Sequence, residues 1–430
     1  MKTLFEIYLR ILGYNIDNAI TELNYVYSLS PKEFLDWQNK QRWLVAQYHY
    51  KNNASYQKKI NNDFPSKWES LPIMEKSDYQ EDLELMLSHS YNSKNVYIAN
   101  TSGSSGHPFF FAKNKKCHAR TWAFWKKRYE ELGLTFSSKE ARFFGTKNDL
   151  IGNFKDRLKD ILMNRYCFNV FDLSDEALIV FINKFKSIRF DYVYGYAQTI
   201  LIFSRFLVKN KIILKEICPS IKVVIITAEV CSLEDKKIIE KGIGVPVKDE
   251  YGASEVGYLA KECDLGNWHI IDENVYIETG KDGKLLVTDL FNFAEPFIRY
   301  SIGDLGEIYN FEKCQCGDFR RVLSKLKGRD NDIINLPNGK IAPGLTFYYI
   351  SRSILESSGG LNEFIIRQIS LDTFVFDIIS KEKLNDNQIK RIQYEMDSYL
   401  TPGLKLIINN VNKLKRPKSG KIKHFYSEIN

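Results

Sequence analysis

No stretch of this 430-residue chain stays apolar for the roughly 18 residues that suggest a membrane-spanning helix. Cysteine is sparse and odd in number, 7 in all, which is no basis for a disulfide framework. Positive charge is not gathered in one place. Lys and Arg number 61 against 53 Asp and Glu, a net +8, and the basic clusters are short: Lys113–Lys116, Trp125–Arg128 and Lys413–Lys423. A nucleic-acid binder concentrates its cations on one face or tail, so no nucleic-acid partner is expected. Internal repeats and low-complexity tracts are missing too. The N-terminus puts Glu6 and Arg10 where a signal peptide needs an apolar stretch, and Leu4, Tyr8, Ile11 and Leu12 recur at helical spacing. The cytoplasm is the expected compartment. Oligomeric state has no sequence signal.

What is present begins with length, which exceeds one ordinary core and predicts a large and a small domain. The first hundred residues read as helical, including Pro31 to Tyr50, with a further helix start at Glu75-Lys76-Ser77-Asp78. From about Ser174 to Gly252 strands and helices alternate. Helices are expected near Asp175–Phe185, Gln198–Lys209 and from Ser232 to Gly242; strands at Asp191–Gly195, Lys222–Thr227 and Pro246–Tyr251. That alternation predicts an α/β fold with parallel crossovers, whose ligands sit beyond the carboxyl ends of the strands. It puts Thr227-Ala228-Glu229 and Tyr251–Glu255 on the functional edge. After Gly257 the chain reads as β-rich, for example at Lys284–Thr288. The domains are expected at 1–327 and 333–430 with a hinge at 328–332. The small α+β domain should hold helices at Leu345–Ser357 and Asp386–Leu400 and strands at Phe364–Gln368, Thr373–Ile379 and around Leu406–Ile408.

Asn100 to Pro108 is the densest run of small hydroxyl residues, and it follows a strand at Asn95–Ala99. Thr101, Ser102, Ser104 and Ser105 supply hydroxyls, while Gly103 and Gly106 let backbone N–H groups converge on a polyphosphate. No Lys-Ser or Lys-Thr follows the second glycine, so it is not a Walker loop. A plain Ser/Gly surface turn is the competing reading.

Five elements in order decide between these. The loop resembles the Thr-Ser-Gly-Thr-Thr-Gly-Lys-Pro signature of adenylate-forming enzymes, the acyl-CoA synthetase superfamily. Tyr251-Gly252-Ala253-Ser254-Glu255 resembles its Tyr-Gly-x-Ser/Thr-Glu motif and Arg299–Asp304 its Arg-x-x-Gly-Asp element. Gly328-Arg329 with Asp332 is similar to its interdomain hinge, and Pro417–Ile422 to its Pro-x-x-Ser-Gly-Lys signature. The chain as a whole most resembles the phenylacetate–CoA ligase family, above all members encoded with capsule or other surface-polysaccharide genes.

The resemblance implies ATP-dependent activation of a small carboxylic acid as an acyl-adenylate, followed by transfer to CoA. ATP, Mg²⁺ and CoA are then the small-molecule partners, though CoA leaves no motif of its own here. It implies that Lys421 lies between the carboxylate and the α-phosphate, where an ammonium relieves the meeting of two anions. Glu255 would hold Mg²⁺, Asp304 the ribose hydroxyls, Arg329 the ribose edge, and Ala228, Glu229 and Tyr251 the adenine. Plainer readings compete: a surface glutamate at a helix start for Glu255, a turn aspartate beside glycine for Asp304. Gly252 and Ser254 complete the nucleotide-binding set. The acyl pocket is expected near Tyr194–Ala197 and Phe143–Gly145. His107 departs from the family pattern by standing where the loop carries lysine; Lys113 and Lys115 are possible stand-ins. Two rivals remain open at this level, a hydroxyl or amine acceptor in place of CoA, and a non-catalytic nucleotide-binding relative.

Separately, Cys263 and His269 form Cys-x₅-His, and Cys314 and Cys316 form Cys-x-Cys before a glycine. Three thiolates and an imidazole suit structural, tetrahedral Zn²⁺, although the spacing matches no standard zinc-finger pattern. Cys117, Cys167, Cys218 and Cys231 read as buried or isolated thiols.

Overall fold

The computed structural model describes residues 3–61, 63–100, 109–144, 158–309, 314–329, 333–337, 339, 341–343, 346–347, 350, 361–380, 383–412, 414 and 425–429. At 325, 327–329, 333, 341, 343, 361–363 and 380 the backbone alone is described. The chain divides into two compact units. The first holds Met1–Ile302 with Ile308–Ser324, the second Gly303–Glu307 with Lys325–Asn430.

The N-terminal helices are α1 (Leu4–Ile11), α2 (Ile16–Ser28), α3 (Pro31–Asn52), α4 (Ala54–Ile60) and α5 (Leu83–Met86). Thr3 and Ser30 open α1 and α3 with capping boxes to Glu6 and Glu33. Each box satisfies backbone donors that a helix start leaves unpaired. The start expected at Glu75–Asp78 is realised as one short 3₁₀ turn, Lys76–Tyr79.

Strands β1 (Val96–Asn100) and β2 (Phe110–Asn114) pair antiparallel on either side of the Ser/Gly loop, and α6 (Lys115–Glu131) follows. Next come β3 (Glu140–Phe143), β4 (Arg165–Cys167), α7 (Asp175–Ser187), β5 (Tyr192–Tyr196), α8 (Ala197–Lys209), α9 (Leu214–Ile217), β6 (Val223–Thr227), α10 (Leu233–Ile243) and β7 (Val247–Ala253). Pairs β4/β3, β3/β5, β5/β6 and β6/β7 are all parallel. The alternating segment thus folds as its pattern predicts. Val223–Ile226 are buried on both faces: Val224 and Ile226 share a core with Phe143, Phe168, Phe185 and Phe203, Val223 and Ile225 one with Phe5, Tyr129 and Phe136. Each such side chain contributes roughly 1.5–3 kcal/mol on leaving water.

The β-rich stretch supplies β8 (Gly257–Glu262), β9 (Trp268–Ile270), β10 (Val275–Thr279), β11 (Lys284–Asp289), β12 (Tyr300–Tyr309) and β13 (Val322–Arg329). These strands are not a separate β layer. They continue the parallel strands in one eleven-stranded sheet, ordered β10-β11-β12-β13-β9-β8-β7-β6-β5-β3-β4. The change from parallel to antiparallel falls at the β7–β8 hairpin.

In the second unit, β14 (Ile333–Asn335) pairs with β15 (Ile341–Pro343). Strands β16 (Leu361–Ser370), β17 (Thr373–Ser380), β18 (Lys405–Asn410) and β19 (Phe425–Ser427) form a sheet in the order β18-β17-β16-β19. Helix α11 (Asp386–Tyr399) inserts Ile392 and Met396 into a core with Phe364, Ile366, Phe374 and Phe425. This is the α+β pattern expected there, and most of the helix expected at Leu345–Ser357 lies outside the described residues. No described helix is long and apolar enough to cross a membrane.

Candidate functional site

The carboxyl ends of β5, β6 and β7 bring Tyr196, Thr227 and Ala253 to one edge of the sheet, because parallel neighbours keep the same direction. Just beyond β6, Ala228 adopts a left-handed backbone with φ +68°. That conformation is strained for a residue with a Cβ, and such strain gathers at functional edges. Glu229 turns back beneath it: its carboxylate accepts the Gln198 backbone N–H at 2.9 Å, while the Gln198 amide donates to the Val230 carbonyl at 2.9 Å. Glu229 therefore ties the post-β6 turn to the start of α8.

Tyr251 is half-buried and its ring lies 6.1 Å from that of Trp268. Gly252 pairs with Tyr258 across the β7–β8 hairpin, with a register shift beside it. A Cβ at 252 would meet the Gly257 carbonyl oxygen at 2.6 Å, so the close approach requires glycine. Ser254, exposed, and Glu255, buried, occupy the three-residue turn that follows. Glu255 is thus neither on the surface nor at a helix start. Its Oε1 accepts the Tyr300 hydroxyl at 3.0 Å. Burial and the adjacent Glu255 carboxylate push the Tyr300 phenol well above its ordinary range, which keeps it a donor. Tyr300 was not singled out by the sequence, where it appears as a spacer inside the Arg-x-x-Gly-Asp element.

Arg299, the first residue of that element, has φ +46°. Its guanidinium pairs with Glu278 and donates to the carbonyls of Glu69 and Leu71, so it clamps the fold. Asp304 lies within β12 rather than in a turn. Arg329 ends β13, and its side chain is not described. Thr101, Ser102, Gly103, Ser104, Ser105, Gly106, His107 and Lys421 lie outside the described residues.

Lys113 is buried and paired with Asp289 at 3.6 Å, which argues against its standing in for the loop lysine. Lys115 opens α6 with its chain directed at Gly13. Near the expected acyl pocket, Phe143 points into the core. The Phe144 ring faces Tyr194 and Tyr196 at 5.0 and 4.8 Å, with the Arg142 guanidinium 4.2 Å from its centre.

Behind β7 lies a buried charged lattice that the sequence did not announce. Lys236 reaches Glu262 at 2.7 Å and Asp249 at 3.5 Å, and Glu262 accepts the Asp249 backbone N–H at 2.9 Å. Arg128 stands 3.6 Å from Glu250. Burial raises the Asp249 carboxyl to about 7 and the Glu250 carboxyl to about 8.

The four proposed metal ligands are brought together. Their donor atoms in Cys263, His269, Cys314 and Cys316 all lie within 4.8 Å of one another. Tetrahedral zinc with Zn–S bonds of about 2.3 Å needs ligand atoms about 3.8 Å apart, so the group is close to a coordination shell. His269 Nδ1 lies 3.1 Å from the Arg320 carbonyl, which fixes the proton on that nitrogen. The Nε2 lone pair then faces Cys316 Sγ at 3.4 Å. Hydrogen bonds from the Cys316 backbone and Asn267 hold the Cys314 thiol below its usual range. Of the other cysteines, Cys117 and Cys218 are buried, Cys167 and Cys231 half-buried.

No family model matches the chain. It is 23% identical to protein CapK of Staphylococcus aureus over 420 residues, covering 94% of this chain and 89% of CapK. It is 27% identical to the phenylacetate-coenzyme A ligase of Thermus thermophilus over 139 residues, 29% of this chain and 31% of that protein. Among solved structures, 2-hydroxyisobutyryl-CoA ligase in its postadenylation state matches with a TM-score of 0.70 at 15% identity, over 94% of this chain and 91% of the other. The amide bond synthetase McbA of Marinactinospora thermotolerans matches with a TM-score of 0.52 at 12% identity, over 77% and 67%. At these identities the solved structures speak to the fold.

Proposed function

We propose, from the likeness to CapK over 94% of the chain and from the fold, that this chain is a CapK-like adenylate-forming ligase that activates a carboxylic acid with ATP as an acyl-adenylate and transfers the acyl group to the thiol of coenzyme A. The observation that carries the reading is Glu255: a carboxylate held at the β7–β8 turn by Tyr300, beyond the carboxyl ends of the parallel strands. Ligands of open α/β sheets bind on that edge.

In this reading Glu255 is the Mg²⁺ ligand; a carboxylate oxygen is a hard donor for a hard cation. Magnesium would neutralise phosphate charge when bound. Thr101 to Gly106 surround the phosphates, Tyr251, Gly252, Ser254, Ala228 and Glu229 border the nucleotide, and Asp304 and Arg329 take the ribose. Glu229 has a structural task as well, through Gln198. Lys421 supplies the ammonium between the two anions. Cys263, His269, Cys314 and Cys316 hold a structural zinc, since four protein donors leave no open position for substrate. In this reading residues 328–332 are the hinge between segments 1–327 and 333–430.

The test is pyrophosphate release over a panel of aryl, aliphatic and hydroxy acids, with product analysis with and without CoA. Lys421→Ala should lower acid-dependent pyrophosphate release at least 100-fold, a typical loss for one charge-stabilising donor. The same variant should still transfer acyl groups from a supplied acyl-adenylate. Undiminished release in Lys421→Ala sinks the assignment of the lysine. A product unchanged by CoA sinks the thiol acceptor.

A further inference from the structure

Under the β7–β8 turn, between that hairpin and α6, lies a cavity of about 20 Å³. That is room for about one water-sized group. Lys113, Cys117, Arg120, Asn274, Asp289 and Tyr258 contribute its polar lining, and Phe124, Val256, Val275 and Phe291 its apolar lining.

Three observations set what it can hold. The Tyr258 hydroxyl is buried and has no hydrogen-bond partner among the described residues, an arrangement that is destabilising unless a group supplies one. Lys113 and Asp289 face each other at 3.6 Å with side chains 5% exposed, a long ion pair that leaves the ammonium with donor capacity, while Asp289 also accepts from Cys117, Phe291 and Asn292. The charges also cancel: Lys113 against Asp289, and Arg120 against Glu22 at 3.5 Å. A charged guest would add an uncompensated buried charge, whereas a hydroxyl donates and accepts at once.

The cavity adjoins the candidate site. Val256 lines it and follows Glu255 directly, and a Cβ at Gly257 would lie 3.3 Å from the Lys113 ammonium. An aromatic row leads from the strand ends towards it. Phe144 meets Tyr194 at 5.0 Å, Tyr194 meets Trp125 at 5.6 Å, and Trp125 meets Tyr258 at 4.8 Å.

We propose that the substrate is a hydroxylated carboxylic acid whose hydroxyl, on the end away from the carboxylate, enters this cavity between Tyr258, Lys113 and Asp289. This rests on the reading of the chain as an acid-activating enzyme and names the class of acid.

The experiment is calorimetric binding of matched acids to the full chain with a non-hydrolysable ATP analogue present. The pairs are 4-hydroxyphenylacetate against phenylacetate and 4-hydroxybutyrate against butyrate. At least one hydroxylated member should bind about tenfold tighter than its partner, the upper end for one neutral hydrogen bond. Tyr258→Phe should shrink that ratio several-fold, while the wild-type comparison stands without any variant. Equal affinities in both pairs, no binding of any member, or a ratio untouched in Tyr258→Phe overturns the proposal. Pyrophosphate release is read in parallel. A binding preference without release from any acid supports the cavity's role and sinks only the activation reading.

Discussion

Replacing Glu250 by glutamine should flatten part of the pH dependence of stability, in a direction opposite to ordinary acid denaturation. Glu250 is buried beside Arg128, and neither carboxylate oxygen has a hydrogen-bond partner among the described residues. Burial, the largest cause, raises its carboxyl to about 8, against an ordinary 4.5. A carboxyl raised in the folded state stays protonated there at pH values where the unfolded chain has released the proton. Stability from this group is therefore fully present below the unfolded value and declines as pH rises from about 4.5 to about 8. Each pH unit in that window is worth about 1.4 kcal/mol, so from pH 5.5 to 7.5 the wild type loses about 3 kcal/mol through Glu250 that Glu250→Gln does not. For a unit of roughly 300 residues that corresponds to about 4 °C in Tm. His49, whose imidazole burial lowers to about 4, works the other way. For this reason the readout is the difference between variant and wild type, which share every other group. The assay is thermal unfolding of both proteins at pH 5.5, 6.5 and 7.5. A constant gap in Tm across the three values refutes a carboxyl raised by burial.

Metal analysis of purified protein should find about one equivalent of zinc, falling below a tenth in His269→Ala; a zinc-free wild type ends the assignment. Gly252→Ala should destabilise the protein by about 1–3 kcal/mol, because its Cβ meets a backbone carbonyl oxygen that cannot step aside. Urea unfolding reads this directly, and a neutral result contradicts the close approach of β7 and β8.

Much of the parallel half was legible because helix and strand periodicities are local. Ser232, with Glu234 and Asp235 in the first turn, announced α10, and the structure adds a capping box between Ser232 and Asp235; the apolar run Val223–Ile226 announced a strand covered on both faces. The Tyr-Gly motif and the Thr227–Glu229 turn marked the edge, since they follow strands of the parallel run. By contrast, β3 and β4 are short, four and three residues, and offered little pattern.

The sequence by itself determined which donors exist: the order of the five motifs, a Cys-x₅-His and a Cys-x-Cys, and a carboxylate after Ser254. Tertiary structure alone decided which of them meet. Tyr300 reaches Glu255 across 45 residues of chain, the Cys-x₅-His and Cys-x-Cys pairs close over a similar span, and Lys113 on β2 finds Asp289 at the end of β11 only in the folded chain. Such pairings depend on how far apart sheet order and helix packing set the strands in space. No local pattern records that, because burial and dielectric belong to the assembled fold.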